Sequence, residues 1–289
     1  MSITVDAGAP FAPRLGSGAS GAARGAFLMP LVASGAGWHD PVERLDRALS
    51  SDDFVLHARR VQPLARSAPS THIEVLLRFS DEERSHLPPG TFLAVLEANG
   101  LMARLDEWVV AKVLYWRALF AGNSEPVFIV RVSPSALRRR GFVAAVKAEI
   151  ARYDVPAALF CFELAEEEAL ALEPVERDAL AAVRGLGCGV SIGSFGQRPE
   201  SLRLLQQLQA TVVKIDSELG RRATADLSHA ARVGAIARAC RTMGILSIAE
   251  SAETAQSRKV LASAGVDCAQ GPAVRPIVEE LVELTHGPA

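Results

Sequence analysis

Glu74-Val75-Leu76-Leu77-Arg78 is the stretch on which the reading of this chain turns. With Ile73 in front, it alternates with period two. Ile73, Val75 and Leu77 fall on one side of a strand, and Glu74, Leu76 and Arg78 on the other. A carboxylate and a guanidinium on one strand face need something polar to face them. An edge-strand ion pair would satisfy them. So would a polar site, and the strands further along decide between the two.

Those strands follow from the pattern. Phe54 to Val61 reads as a strand ending in Gln62-Pro63, and His72 to Phe79 as the next. The gap between them is too short for a helical crossover, so the first strand is expected to run antiparallel. Further strands are expected at 127–132, 159–164, 188–192, 211–215, 245–249 and 266–269. Helices are expected at 40–49, 92–99, 105–120, 135–152, 174–186, 199–208, 226–243 and 253–264, with Leu105, Trp108, Val109 and Val113 turned inward on the third. Strands alternating with helices predict an α/β fold, a (β/α)8 TIM-like barrel whose first strand is antiparallel. Residues 1–37, rich in Gly, Ala, Ser and Pro and without periodicity, read as a flexible segment ahead of a domain over 38–289.

Composition narrows the class. The chain has 289 residues, 49% of them hydrophobic, and a formal charge of −2, which suits one large buried core and does not advertise nucleic acid. The early apolar run 26–34 is short and broken by Pro30, so no membrane insertion is expected and the chain reads as cytoplasmic. Cys161, Cys188, Cys240 and Cys268 form no Cys-x-x-Cys pair and read as small core residues, neither disulfides nor metal ligands.

In such barrels chemistry sits at the C-terminal ends of the strands. Those ends carry Gln62, the Glu74/Arg78 pair, Arg131, Glu163 with Glu166, Gly193-Ser194, Lys214 with Asp216, Glu250 and Gln270. Glu74, Glu163 and Glu250 are oxygen donors suited to a hard cation, but Arg131 plants a fixed positive charge among them. Arg131 is expected to neutralise Glu74 or Glu163, to meet a phosphate, or simply to face solvent at the end of its strand. Lys214 is expected to meet an anion, either a ligand's or that of Asp216 or another neighbouring acid. Arg138-Arg139-Arg140 reads as the solvated start of a helix, and Glu166-Glu167-Glu168 as acids suited to a helix N-terminus.

Taken in order, these pieces resemble an EAL domain, the cyclic di-GMP phosphodiesterase family, from about Phe54 to Pro276. Gln62-Pro63 resembles Gln-Pro-Ile. Glu74 to Arg78 resembles Glu-Ala-Leu-Leu-Arg. The helical region with Glu97, Gly100 and Leu105-Asp106-Glu107-Trp108-Val109 follows. Glu163-Leu164-Ala165-Glu166 resembles Glu-Leu-Thr-Glu, Lys214-Ile215-Asp216 is the family's Lys-Ile-Asp, Glu250-Ser251-Ala252-Glu253 resembles Glu-Gly-Val-Glu, and Gln270-Gly271 the final Gln-Gly. The sequence departs from the pattern where active members have Val-Asn-Leu-Ser and Asp-Asp-Phe-Gly. Here stand Val130-Arg131-Val132-Ser133 and Gly193-Ser194-Phe195-Gly196.

The resemblance implies that, without those metal-binding groups, the two-metal arrangement cannot assemble. The expectation is therefore a chain that is no enzyme, with no metal, cofactor or catalytic residue. It is similar to the FimX kind of EAL receptor, which controls type IV pili, binds cyclic di-GMP without cleaving it and docks a small PilZ-type adaptor. Ala249 stands where that kind offers an aromatic to the guanine, a loss on the order of 1–3 kcal/mol of stacking. The implied ligand set is Gln62, Glu74, Leu76, Arg78, Asp106, Arg131, Glu163, Lys214, Asp216, Glu250 and Gln270. A homodimer is a further expectation. The alternative is a protein-interaction module that binds neither metal nor nucleotide, with Arg131 filling the mouth.

Overall fold

The computed structural model describes residues 40–51, 53–64, 72–79, 90–119, 126–198, 200–274 and 278–280. The segment 1–37 lies outside them, as do the expected boundaries at Phe120, Pro199 and Pro276.

The described strands are β1 (Phe54–Arg60), β2 (Gln62–Pro63), β3 (His72–Phe79), β4 (Val127–Arg131), β5 (Phe160–Ala165), β6 (Gly189–Phe195), β7 (Val212–Ile215), β8 (Leu246–Ala249), β9 (Cys268–Ala269) and β10 (Val278–Glu280). They form one sheet in the order β10-β1-β3-β4-β5-β6-β7-β8-β9-β2. From β3 to β9 every neighbour is parallel, whereas β2 runs antiparallel to β9. Because β1 and β2 are consecutive pieces of one run, pairing at both ends of the order closes the sheet into a barrel. This is the (β/α)8 barrel with an antiparallel first strand. One strand was not foreseen: β10 pairs antiparallel with β1, His57 facing Glu280, along the edge that the two-residue β9 leaves open.

The helices are α1 (Pro41–Ser50), α2 (Thr91–Ala98), α3 (Met102–Leu119), α4 (Pro134–Arg138), α5 (Phe142–Tyr153), α6 (Glu166–Ala171), α7 (Pro174–Gly185), α8 (Ser201–Gln207), α9 (Ser217–Arg222), α10 (Leu227–Thr242) and α11 (Ala255–Ser263). The single helix expected over 135–152 is two, broken where Gly141 takes φ 97°, a left-handed conformation that ends one helix and starts the next. Arg138-Arg139-Arg140 is exposed as expected but closes a helix instead of starting one. Arg138 pairs at 2.5 Å with the buried Glu176, and Arg139 at 3.0 Å with Glu107. On α3, Leu105, Val109 and Val113 are buried as expected, but Trp108 is only half-buried and lies under the Lys112 ammonium at 5.4 Å.

The chain divides into two compact units. In the smaller one (described residues 40–51, 53–55, 78–79 and 90–101), the rings of Phe54, Phe79 and Phe92 meet at 4.9–5.4 Å between centroids. Arg44 lies over Phe79 and pairs with Asp53 at 2.6 Å. The larger unit (56–77 and 102–289) holds the parallel strands. Val61, Ile129, Cys161, Val212, Ile248 and Cys268 form a buried apolar cluster there. All four cysteines are free and buried, and burial raises each thiol pKa to about 11–12, so they are unreactive core residues.

Candidate functional site

The apolar cluster fixes the site. Side chains two residues apart on a strand share a face. Stepping two residues on from Ile129, Cys161, Val212, Ile248 and Cys268 gives Arg131, Glu163, Lys214, Glu250 and Gln270. The greasy layer is thus followed by a charged one, one residue from each strand. Glu74 joins it from β3.

Lys214 is its centre. The lysine is 2% exposed, and its Nζ lies 2.5 Å from Glu74 Oε1, 3.2 Å from Glu163 Oε1 and 3.2 Å from Glu250 Oε1. The remaining oxygens are also engaged. Gln270 Nε2 donates to Glu74 Oε2 at 3.1 Å, Arg59 lies 3.6 Å from the same oxygen, and Ser191 Oγ donates to Glu163 Oε2 at 3.1 Å. Burial alone would neutralise Lys214, but Glu163, Glu74 and Glu250 outweigh it and hold its pKa well above the ordinary value. Glu74 is lifted by burial and pulled down further by Lys214 and Arg59, so it stays ionised. Glu250 goes the other way. Burial, and repulsion from Glu163 and Glu74 against the pull of Lys214, push it up to about 7. Two positive charges, Lys214 and Arg59, among three carboxylates leave one acid undercompensated, and Glu250 is that acid.

Of the roles open to Arg131, that of counter-ion to Glu74 or Glu163 is not the one it takes. It faces Glu163 in register, yet its guanidinium donates to Glu168 Oε1 at 2.7 Å and its side chain is 53% exposed. With Lys214 already on Glu74 and Glu163, the arginine turns outward to the first turn of α6. Glu168 holds it while its other oxygen accepts the Ala165 amide at 2.9 Å.

The other predicted residues are placed as follows. Gln62 is half-buried on β2 opposite Ala269, and Leu76 is half-buried on the Glu74 face of β3. Arg78, half-buried at the end of β3, groups with the smaller unit. Asp106 accepts the amide and hydroxyl of Ser133, at 2.9 and 2.5 Å, and burial raises its pKa to about 6. Asp216 caps α9, accepting the Glu218 and Leu219 amides at 3.0 Å each. Lys214 therefore takes its anions from other strands and not from Asp216.

Glu166, expected beside Glu163 at the strand mouth and at a helix N-terminus, is a loop anchor. It accepts the Gly196 and Gln197 amides at 3.1 and 2.9 Å. The loop it holds follows the bulge at Gly193-Ser194 near the end of β6, where Ser194 has φ 50° and the register with β7 shifts. A Cβ on Gly193 would lie 2.9 Å from Glu163 Oε1, so the glycine leaves the space that this carboxylate uses.

The family model for the EAL domain matches residues 42–276. The chain belongs to the EAL domain family. Among curated EAL proteins it is 28% identical over 247 residues to cyclic di-GMP phosphodiesterase PdeF of Escherichia coli, covering 84% of this chain and 33% of PdeF. It is 29% identical over 231 residues to the bifunctional diguanylate cyclase/cyclic di-GMP phosphodiesterase MucR of Pseudomonas aeruginosa, covering 78% of this chain and 33% of MucR. The chain thus spans about a third of the length of these relatives. Among solved structures, the Xanthomonas citri FimX EAL domain in complex with cyclic di-GMP is similar with TM-score 0.74 and 26% identity, over 80% of this chain and 90% of that one. The MucR phosphodiesterase complex with cyclic di-GMP gives TM-score 0.75 and 27% identity, over 84% and 99%.

These relatives correct one expectation. The chain was expected to be no enzyme because an arginine and a Gly-Ser pair replace metal-binding groups of the pattern. Its EAL relatives are named phosphodiesterases, so membership of the family carries an enzymatic association that missing ligands do not by themselves remove. Among the described residues no helix is long and apolar enough to cross a membrane.

Proposed function

We propose that the charged layer of this barrel binds cyclic di-GMP and that the chain is the nucleotide-responsive part of a bacterial signalling protein. The observation that carries the reading is Arg131: a half-exposed guanidinium on a strand end, held in place by Glu168, beside a cage that is already largely neutralised. A guanidinium so placed meets a phosphate oxygen with two donors. Glu250 and Gln270 follow β8 and β9, which neighbour each other in the sheet but not the strand of Arg131, and offer a carboxyl and an amide to a guanine edge. The likeness to FimX and MucR domains in complex with cyclic di-GMP supports the same ligand.

In this reading occupancy is passed to a protein partner, such as a PilZ-type adaptor. The contact of the Arg131 guanidinium with Glu168 favours this reading over the competing picture, in which that arginine plugs the mouth by lying on Glu74 and Glu163. Filter binding of radiolabelled cyclic di-GMP, competed by unlabelled cyclic di-GMP, cyclic di-AMP and GTP, tests the proposal. Saturable binding displaced only by cyclic di-GMP is expected. Absence of binding, or equal displacement by all three, overturns it. Chromatography of the bound fraction separates intact from linear dinucleotide and so reads turnover directly.

A further inference from the structure

Active members of the EAL family hold divalent metal in the mouth, and the donors present here do not fit one. A hard cation needs several oxygens free to close on it at about 2.0–2.6 Å. Here the oxygens of Glu74, Glu163 and Glu250 that point to a common centre all meet Lys214 Nζ. Glu74 and Glu163 have their second oxygens on Gln270, Arg59 and Ser191. The adjacent strand ends add one neutral oxygen, the buried Gln270 Oε1, which accepts no hydrogen bond from the described residues, and no further carboxylate. Arg131 brings a fixed positive charge, and Gly193 has no side chain, while a Cβ there would already crowd Glu163 Oε1 at 2.9 Å. Among the described residues no group of three or more His, Cys, Asp or Glu is set to hold a metal ion.

We infer that Lys214 is the resident cation of this barrel: it occupies the centre of the carboxylate cage, excludes a divalent ion from the nucleotide-free chain, and makes ligand binding at the mouth independent of metal. The argument is one of charge and space. Buried carboxylates must be neutralised, and a covalently tethered ammonium cannot be diluted or chelated away. Bringing a divalent ion to the same three oxygens would strand Lys214 without partners in a closed site, and the cost of that buried charge opposes metal uptake. The last part of the inference rests on the proposed nucleotide binding; the exclusion of metal does not.

The test separates the two. Mn2+ is titrated into the nucleotide-free chain and the free ion is read by electron paramagnetic resonance. The wild-type chain is expected to leave the signal of free Mn2+ unchanged up to millimolar ion, whereas Lys214→Met takes up one Mn2+ at least about tenfold more tightly. Lys214→Arg, which keeps the charge, is expected to exclude the ion. Circular dichroism shows which variants fold, and the wild-type titration stands whether or not Lys214→Met does. Uptake of one Mn2+ at micromolar concentration by the wild type, lost in Glu163→Gln, overturns the inference. Cyclic di-GMP is then titrated with EDTA and with Mg2+, and affinities within about twofold are expected. A strong requirement for Mg2+ overturns metal independence. Failure to bind under either condition counts against the proposed function, and the Mn2+ result still decides the role of Lys214.

Discussion

Replacing Glu250 by glutamine removes the carboxyl that burial and its neighbours push up to about 7, from an ordinary value of 4.5. A raised carboxyl pKa means that the folded protein holds the proton more tightly than the unfolded chain. Its contribution to stability is therefore fully present below about pH 4.5 and is lost as pH rises through about 7. The gap corresponds to a ceiling of about 3 kcal/mol. The side chain is 20% exposed and keeps one contact to Lys214, so about 1–2 kcal/mol is the expected effect. Glutamine keeps the shape, offers its carbonyl to Lys214 and carries no charge to lose. Denaturant unfolding followed by circular dichroism from pH 5 to pH 8 should show Glu250→Gln close to wild type at the acid end and more stable at the alkaline end. Asp106, with its pKa raised to about 6, titrates in the same direction, but it is present in both proteins and cancels in the difference. Glu74, whose pKa is lowered, acts at more acid pH and with the opposite sign. Equal pH slopes in the two proteins, or a glutamine variant less stable at pH 8, would refute the view that the cage is one positive charge short.

Three further substitutions probe the surroundings. Asp216→Ala deletes the acceptor for the Glu218 and Leu219 amides, and should cost about 1 kcal/mol in unfolding experiments while leaving cyclic di-GMP affinity unchanged; a loss of affinity would show that Asp216 touches ligand. Gly196 has φ 108° and an added Cβ would lie 2.7 Å from Ile236 Cδ1 and 2.9 Å from Leu219 Cδ2. Gly196→Ala should accordingly destabilise by about 1–3 kcal/mol, read as a shift in denaturant midpoint. Arg131→Ala should weaken cyclic di-GMP binding by about 1–3 kcal/mol and make the remainder less sensitive to salt. An unchanged affinity would remove Arg131 from the phosphate.

Much of this architecture is legible because a strand's period is two. Ile129 before Arg131, Cys161 before Glu163, Val212 before Lys214 and Ile248 before Glu250 each place a charge one layer above a core residue, and this was enough to gather the site on one end of a barrel. What period two leaves open is where a long side chain turns after it leaves the strand. Arg131 and Lys214 both enter the same layer, and the choice of which neutralises the acids depends on reach. Lys214 is buried among the carboxylates, whereas Arg131 finds Glu168, whose position depends on α6. That helix is only six residues long: its acidic start at Glu166-Glu167-Glu168 is legible in the sequence, but no helical period shows which of those acids faces the arginine. The same shortness hid α9, the helix that engages Asp216 as a cap. β10 was missed because Val278-Glu279-Glu280 carries little apolar alternation; its pairing is dictated by the open edge beside β1, a tertiary cause. The break after α4 turns on one glycine in a run of helix formers, where Gly141 takes a positive φ.

The central claim is that this EAL domain binds cyclic di-GMP in the layer built around Lys214. Calorimetric titration of cyclic di-GMP into the purified chain in EDTA tests it most directly. The account predicts saturable heat with micromolar or tighter affinity; no heat at high protein concentration, with folded protein confirmed in the same cell, would contradict it.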